Sequence, residues 1–261
     1  MFTASAGYER FMGRWSRQLA PQYLAFAGAK DGDKVLDIGT GTGSVASTIA
    51  AKLPSSQVVG IDPSAAFIEA ARNNARSNRE RFEVGDAQAL ALDDGSFDQV
   101  MSLLVLNFVP DPQKAIAEMR RVTRAGGTVS ACVWDYNAGM QMLRFFWDEV
   151  VALDPSMEPK DERHMKVSRE GQLGQLWRQA GLGEVREQAL TIEQQFTSFD
   201  DYWDPFLKGA GPGGAYVVSL GDEPRKRLEA RMRKRLLGDR ADGAFTLKAK
   251  VWCVRGSVGR L

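Results

Sequence analysis

Residues Val35–Gly43 read VLDIGTGTG, and this stretch decides the fold. Lys34–Ile38 is a short run of mostly β-branched and apolar residues that predicts a buried strand. Three alternating glycines follow at once, and Ser44–Leu53 then places apolar residues at the spacing of a helix packed on a sheet. The glycines therefore lie on a strand-to-helix turn, where a ligand can approach bare backbone. The unpaired N–H groups at the start of the helix make this turn electropositive.

Two kinds of nucleotide-binding fold use such a turn, and the glycine spacing discriminates between them. The dinucleotide pattern Gly-x-Gly-x-x-Gly needs glycine at position 44 when it starts at Gly39, but Ser44 stands there. A start at Gly41 gives a tolerated variant that begins two residues late. VLDIGTGTG instead resembles the first motif of the class I S-adenosylmethionine-dependent methyltransferases, in particular the small-molecule enzymes of the ubiquinone and menaquinone type. A glycine-rich turn without a ligand is the remaining alternative.

The resemblance implies a role for each residue of this motif. Gly39, Thr40, Gly41 and Thr42 would hold the methionine end of S-adenosylmethionine. Asp37 would organise the turn and bind the amine of the cofactor.

A second buried strand, Val58–Asp62, ends in an acid. A carboxylate at this position can accept hydrogen bonds from both hydroxyls of a ribose. Pro63 then begins a helix and belongs to the same predicted site. Both kinds of fold use such an acid, so Asp62 does not discriminate between them, and a helix-capping acid is the alternative.

A third strand, Arg81–Val84, is followed by Asp86 and Ala87. In the methyltransferases that this chain resembles, an acid and a small residue after the third strand hold the adenine, and the acid accepts from its exocyclic amine. The resemblance therefore places Asp86 and Ala87 at the adenine. Taken alone, the two residues are equally typical of an exposed turn.

Ser96–Leu106 predicts the fourth strand and the loop beyond it. The sequence FDQVMS and the Pro-Asp-Pro at 110–112 are similar to the family pattern, in which Leu103 matches a position that lines the cofactor. Asn107 occupies a position where many relatives carry histidine, so no histidine-based role is carried over.

The order of these elements predicts an α/β fold. Strand and helix alternate through five strands, the fifth at Thr128–Trp134, which is typical of a doubly wound parallel sheet. Strands near 185–192 and 245–254 fit the terminal antiparallel pair of the family, which gives a seven-stranded, mostly parallel, Rossmann-like sheet. Ligands bind beyond the carboxyl ends of the strands in such sheets, and the cofactor positions assigned above all fall there.

The chain is predicted to be one domain, 1–261, with an N-terminal lid or arm at 1–30, a cofactor-binding core at 34–136, and helical acceptor-side insertions at 137–168 and 197–240. The resemblance makes Tyr8 and Trp15 candidate lid residues, with core packing as the alternative for each. The aromatic residues of the insertions suit a closed apolar pocket for a methyl acceptor. Gly209–Gly214 is expected to be a flexible loop.

Composition narrows the class of protein. Net charge is +1, so no overall field selects a polyanionic partner, and 44% of the residues are hydrophobic, enough for a sizeable core. The N-terminus lacks a signal-peptide pattern and no apolar run is long enough to span a bilayer, so we expect a cytoplasmic protein without a membrane span. Cys132 and Cys253 are expected to be buried thiols in a reducing compartment rather than a disulfide. With one histidine and no ligand cluster, no metal site is expected.

A basic amphipathic helix is predicted at 225–235, with seven basic residues and one acid. Nucleic acid or lipid could bind such a face, but a solvated outer helix is favoured, so no nucleic-acid partner is expected. His164 is a candidate general base with an exposed position as the stronger alternative, and no catalytic residue is assigned.

The sequence thus predicts methyl transfer from S-adenosylmethionine to a small-molecule acceptor. The alternatives are a nicotinamide-dependent oxidoreductase and a non-catalytic protein that binds a cofactor or nucleic acid. The identity of the acceptor, the atom that is methylated and the oligomeric state stay open at this point.

Overall fold

A computed structural model of the chain describes residues 9–259, which contain one seven-stranded sheet. The strands are β1 (Lys34–Ile38), β2 (Gln57–Asp62), β3 (Glu80–Val84), β4 (Phe97–Leu103), β5 (Thr123–Trp134), β6 (Gly183–Phe196) and β7 (Phe245–Ser257). Their order is β3-β2-β1-β4-β5-β7-β6. The first five strands are parallel, and β7 runs antiparallel to both β5 and β6. The predicted mostly parallel, doubly wound sheet is confirmed.

Helices connect the strands and cover both faces of the sheet. The α-helices of the described residues are α1 (Arg14–Ala27), α2 (Ser44–Lys52), α3 (Ala65–Asn74), α4 (Pro112–Val122), α5 (Gln141–Leu153), α6 (Gln172–Gln179), α7 (Phe199–Leu207), α8 (Gly211–Ser219) and α9 (Asp222–Leu237). A π-helical turn, Glu9–Gly13, precedes α1, and two 3₁₀ turns, Pro155–Lys160 and Glu162–His164, follow α5. Within 9–259, no helix is both long enough and apolar enough to cross a membrane.

Local sequence determines where these elements begin. α4 begins at Pro112, whose missing N–H is harmless in a first turn, and the Asp111 carboxylate caps it by accepting from the Lys114 N–H at 3.0 Å. All residues of β1 except Lys34 are buried, because helices pack on both faces of a parallel sheet. Two hydrophobic clusters, one on each face, form the core.

The pair of β6 and β7 projects beyond the carboxyl end of β5. Trp134 ends β5 and pairs with Val251, which in turn pairs with Leu190. From there the two strands continue together to Phe196 and Phe245, roughly 20 Å farther at 3.3–3.4 Å per residue. This projecting part packs against α1 and α7 and forms a wall beside the end of the sheet where ligands bind in such folds.

The basic helix predicted at 225–235 is α9, an outer helix whose charges are largely paired. Leu228 and Met232 are buried, which confirms the amphipathic pattern. Arg231 donates to Glu149 of α5 at 2.6 Å, and Arg235 donates to the same carboxylate at 2.9 Å. These contacts fix α9 on α5 and remove part of the positive charge that an anionic partner would need.

Two expectations from the sequence are wrong. Cys132 and Cys253 are not separate thiols: they are direct neighbours across β5 and β7, with Cα atoms 4.2 Å apart, and they form a disulfide. Sequence could not indicate this, because 121 residues separate them and β7 lies beside β5 only in the folded sheet. Gly209–Gly214 is not a loop throughout, since α8 begins at Gly211 with Pro212 in its first turn.

Tyr23 fixes α1 on the centre of the sheet. Its hydroxyl accepts the backbone N–H of Ser102 in β4 at 3.1 Å and lies 2.9 Å from Oγ of Ser130 in β5. Burial raises the pKa of Tyr23 well above its usual value, so the hydroxyl keeps its proton and can donate to Ser130.

Replacement of Tyr23 by phenylalanine is expected to lower the free energy of unfolding by about 1–3 kcal/mol, because the buried Ser102 N–H then loses its acceptor. Chemical denaturation followed by circular dichroism measures the change. Tyr216→Phe, at a half-buried tyrosine on α8, serves as the control and should change stability by less than about 0.5 kcal/mol. Equal losses in the two variants would contradict the anchoring role of Tyr23.

Candidate functional site

Gly39 and Gly41, in the turn between β1 and α2, differ in the space around them. Gly39 has φ +69°, and a Cβ there would overlap the side chain of Val105 from the loop after β4. Gly41 has φ +55°, but a Cβ there would meet no atom of residues 9–259 within 4 Å. The backbone N–H groups of Gly39 and Thr40 both donate to the carbonyl of Ile61, at 2.7 and 3.0 Å. These hydrogen bonds therefore fix the turn on β2, and the space where a Gly41 side chain would lie is free.

Asp37 lies beneath this turn and is 1% exposed. Its Oδ2 accepts from the Thr40 hydroxyl at 2.7 Å, whereas Oδ1 is buried and has no hydrogen-bond partner among the described residues. The pKa of Asp37 is raised to about 7, mainly by burial; the Thr40 hydrogen bond opposes this rise and the charge of Asp62 adds to it. A cationic donor at Oδ1 would satisfy the unpaired oxygen and restore the charged form.

Asp62 ends β2 next to the open glycine. Its Oδ2 accepts the Gly41 N–H at 3.1 Å and its Oδ1 accepts the Ser64 N–H at 2.9 Å, so the carboxylate bridges the turn and the start of α3. Burial raises the pKa of Asp62, and these two N–H groups act in the opposite direction. Each oxygen keeps a second lone pair for a ligand. Pro63 lies exposed between the two contacts.

Asp86 and Ala87 follow β3 at the same edge of the sheet. The Gly85 N–H donates to the Asp62 carbonyl at 3.1 Å, which places this segment beside β2. Asp86 is exposed and accepts the Gln88 N–H at 2.9 Å, a bond that lowers its pKa. Asp86 therefore stays ionised at neutral pH and offers acceptor oxygens at the rim.

The end of β4 completes this edge with a strained residue. Leu103 is buried, and Leu104 after it has φ +66°, a left-handed conformation that is costly for leucine. The Leu104 N–H donates to the Cys132 carbonyl at 2.7 Å and so fixes this conformation. Strain of this kind is typical of functional sites.

Asn107 is a further candidate at this edge, one that the motif comparison did not assign. It lies in the turn closed by the Phe108 N–H and the Val105 carbonyl at 2.8 Å, and Val105 contacts Gly39. Phe108 packs edge-to-face on Tyr136 after β5. Asn107 is 5% exposed, yet neither atom of its carboxamide finds a partner within 9–259. An unpaired buried amide beside the glycine turn indicates a ligand contact.

The N-terminal arm, defined here as Glu9–Gly13, connects the glycine turn to the helical layer. Thr42 donates its hydroxyl to Glu9, whose carboxylate also binds Arg17. On the other side, Arg10 donates to Asp204 of α7 at 2.8 Å. Sequence did not indicate Glu9, because its contacts are with residues far along the chain.

The two candidate lid residues have different outcomes. Tyr8 lies outside the described residues. Trp15 is buried on α1, with its ring 5.4 Å from that of Phe196 in β6.

Two further features lie apart from this edge. The imidazole Nε2 of His164 is 2.8 Å from Glu158, and its side chain is 45% exposed, as an ordinary surface pair would be. A cavity of about 550 Å³ borders Lys34, Gln57 and Phe97, at the amino-terminal ends of the strands and away from the glycine turn. In the described part of the chain, no group of three or more His, Cys, Asp or Glu side chains could hold a metal ion.

Together these residues form a cleft edge suited to a ligand with a cationic group and a diol. Asp37 offers a buried unpaired oxygen, Asp62 a second carboxylate one strand away, and Gly41 an open backbone face. A nucleoside with a positively charged tail matches this set of donors and acceptors.

Comparisons with known proteins match this chemistry. The family model described as "Methyltransferase domain" matches residues 36–131. A demethylmenaquinone methyltransferase of Roseiflexus castenholzii is 33% identical over 62% of this chain and 73% of its own. An uncharacterized 37.1 kDa protein in transposon TN4556 of Streptomyces fradiae is 36% identical over 56% of this chain and 41% of its own. The ubiquinone/menaquinone biosynthesis C-methyltransferase UbiE of a Geobacter species is 37% identical over 48% of this chain and 52% of its own. The matches thus span about half the length of the last two relatives.

Solved structures show the same fold. A putative methyltransferase of Bacillus halodurans has a TM-score of 0.59 at 17% identity, over 92% of this chain and 98% of its own. Phosphoethanolamine N-methyltransferase 2 of Haemonchus contortus, in complex with S-adenosyl-L-methionine, has a TM-score of 0.59 at 18% identity. This match covers 98% of the present chain and 57% of the other.

The two glycines predict different effects of alanine. Gly41→Ala is expected to cost about 1–2 kcal/mol of stability from its positive φ alone, but to weaken S-adenosylhomocysteine binding more than about tenfold by filling the open face. Gly39→Ala is expected to cost about 3 kcal/mol or more, because overlap with Val105 adds to the backbone cost. Thermal unfolding and calorimetric titration separate the two effects. Unchanged affinity in folded Gly41→Ala would remove this glycine from the site.

Proposed function

The chain belongs to the class I S-adenosylmethionine-dependent methyltransferases, and we propose that it transfers the methyl group of this cofactor to a small, largely apolar acceptor. The observation that carries the proposal is the unpaired Oδ1 of the buried Asp37, whose other oxygen accepts from Thr40 of the glycine turn. A cofactor with a cationic amine next to a nucleoside supplies the missing partner.

Different residues along the carboxyl edge of the sheet would bind different parts of the cofactor. Asp37 would bind the amine and the backbone at 39–42 the rest of the methionine end. Asp62 would accept from the ribose hydroxyls, with Pro63 beside it. Asp86 and Ala87 would hold the adenine edge, and Leu103 would pack on the adenine. This assignment is supported by the spare lone pairs of Asp62 and by the ionised state of Asp86.

Catalysis by this chain would rest on position and on exclusion of water. S-adenosylmethionine supplies an electrophilic methyl group on a sulfonium. The protein must align an acceptor atom with that methyl group and keep water out. Asn107 would hold the acceptor by hydrogen bonds through its unpaired carboxamide, but a neutral carboxamide cannot take the acceptor's proton. His164, exposed and paired with Glu158, is not assigned as a base.

The acceptor would lie under the helical insertions at 137–168 and 197–240. The aromatic residues of α5 and α7 give these insertions an apolar interior: the ring of Phe146 stacks on Phe206 at 4.5 Å, and Phe206 contacts Phe11 of the arm at 5.3 Å. Relatives named for demethylmenaquinone and for ubiquinone/menaquinone biosynthesis support an acceptor that is apolar and aromatic.

The alternatives have less support. The comparisons above contain no support for a nicotinamide-dependent oxidoreductase. A nucleic-acid-binding role for α9 is disfavoured by the pairing of Arg231 and Arg235 with Glu149. Separate calorimetric titrations with S-adenosylmethionine and NAD test the proposal: binding of the former alone is expected, and binding of NAD alone would contradict it.

Protonation of Asp37 should couple to cofactor binding. The pKa of Asp37 is raised from 3.8 to about 7, so the folded protein binds a proton that the unfolded chain has lost. Stability from this group is therefore full below about pH 4 and falls as pH rises to about 7. A cationic amine at Oδ1 favours the carboxylate, so S-adenosylhomocysteine is expected to release about one proton per molecule bound near pH 6 and almost none near pH 8.5.

Calorimetry in buffers of different ionisation enthalpy measures this proton release. It should vanish in Asp37→Asn and persist in Asp86→Asn, since Asp86 is already ionised. The absence of proton release from the wild type near pH 6, with binding intact, would show that the amine does not contact Asp37.

A further inference from the structure

We propose that Gln194, Trp15 and Arg14 form a buried polar subsite that binds a carbonyl or carboxylate oxygen on an aromatic methyl acceptor. The inference rests on the proposed function, because it assigns the subsite to the acceptor. It concerns the wall formed by β6 and β7 beyond the end of β5.

Gln194 is a fully buried carboxamide in an apolar environment. Ile192 and Phe196 lie on the same face of β6 as Gln194, and both belong to a hydrophobic cluster. Leu247 of β7, which pairs with Gln194, belongs to the same cluster. Neither Nε2 nor Oε1 of Gln194 has a hydrogen-bond partner in the described part of the chain. A buried amide with both atoms unpaired is rare in native proteins, so a partner from outside the chain is needed.

Two further unpaired donors surround the same aromatic ring. Nε1 of Trp15 and Nε of Arg14 are buried and lack acceptors among residues 9–259. The Trp15 ring lies 5.4 Å from Phe196, and the Arg14 guanidinium lies 4.9 Å above Phe196 and 4.2 Å above Trp15. Gln194 precedes Phe196 by two residues on the same face, so all three groups border one ring.

The chemistry of these groups defines the ligand. Indole and guanidinium nitrogens only donate, and the carboxamide adds a third donor with one acceptor. An oxygen with lone pairs would accept from all three donors, whereas Oε1 of Gln194 would accept from water. One guanidinium nitrogen of Arg14 already binds both oxygens of Asp201, at 2.9 and 3.0 Å, so the subsite does not require an anion.

The rings around the three polar groups pack on one another. Phe245 stacks on Phe196 at 5.1 Å, and Tyr202 meets Phe196 edge-on at 5.5 Å. Phe196, Phe245 and Tyr202 are buried, so the surroundings of the three polar groups are apolar. A ligand that reaches these groups is expected to be apolar apart from its oxygen.

The subsite is within reach of the cofactor through the arm. Glu9 contacts Thr42 of the glycine turn, and Trp15 follows six residues later on the same helical segment, roughly 9 Å along its axis. A bicyclic acceptor can span that distance, with its oxygen at Gln194 and its reacting atom near the methyl group.

The test uses protein loaded with S-adenosylhomocysteine and three naphthalenes with substituents at position 2. 2-Acetylnaphthalene carries a ketone, 2-naphthoate a carboxylate, and 2-isopropylnaphthalene the same shape as the ketone without oxygen. The wild type is expected to bind at least one oxygen-bearing probe roughly tenfold more tightly than the isopropyl probe. The ketone and carboxylate arms show which oxygen the subsite prefers.

Three variants test which residues cause the preference for the oxygen-bearing probes. Gln194→Leu and Trp15→Phe are each expected to reduce it to within about twofold, with the Kd of S-adenosylhomocysteine unchanged. Gln195→Leu, at the exposed neighbour on the opposite face of β6, should retain it.

Three results would overturn the subsite: no preference in the wild type, a preference that survives both Gln194→Leu and Trp15→Phe, or no binding of any probe. Gln194 would then hold no more than buried water. Failure of S-adenosylhomocysteine itself to bind would overturn the proposed function instead, and the subsite with it.

Discussion

A buried carboxylate is costly unless both of its oxygens are paired, and Asp37, near the end of the central strand β1, has only one oxygen paired within the described residues. The other residues at the carboxyl edge of the sheet are arranged around this carboxylate. Asp37 has one oxygen satisfied by Thr40 and the other by nothing in the described chain. The glycine turn lies over it, because Gly39 packs against Val105 without room for a side chain. Asp62 holds the open side of the same turn through the Gly41 N–H. Binding of a cationic group at Asp37 would thus act on every element that meets there.

The arm gives this edge a physical connection to the acceptor side. Glu9 contacts Thr42 of the turn, while Arg10 and Arg14 bind Asp204 and Asp201 of α7. Phe11 and Met12 of the arm are buried as well, so apolar packing and ion pairs together hold the arm in place.

Sequence predicted the parts of this protein that depend on local pattern. VLDIGTGTG predicted the first strand, the turn and the helix, and the alternation of elements predicted the parallel part of the sheet. The antiparallel end was expected from the resemblance to the family. The contacts of Glu9, the unpaired amides of Asn107 and Gln194, and the disulfide between Cys132 and Cys253 were not predicted. Each depends on residues brought together from distant parts of the chain, which spacing along a sequence does not encode.

A crystal structure with S-adenosylhomocysteine tests the central claim most directly. The account predicts the amine of the ligand within about 2.7–3.0 Å of Asp37 Oδ1 and the ribose hydroxyls at Asp62, with the backbone of Gly41 against the ligand. A ligand bound elsewhere, or an Asp37 Oδ1 that stays unpaired beside it, would contradict the account.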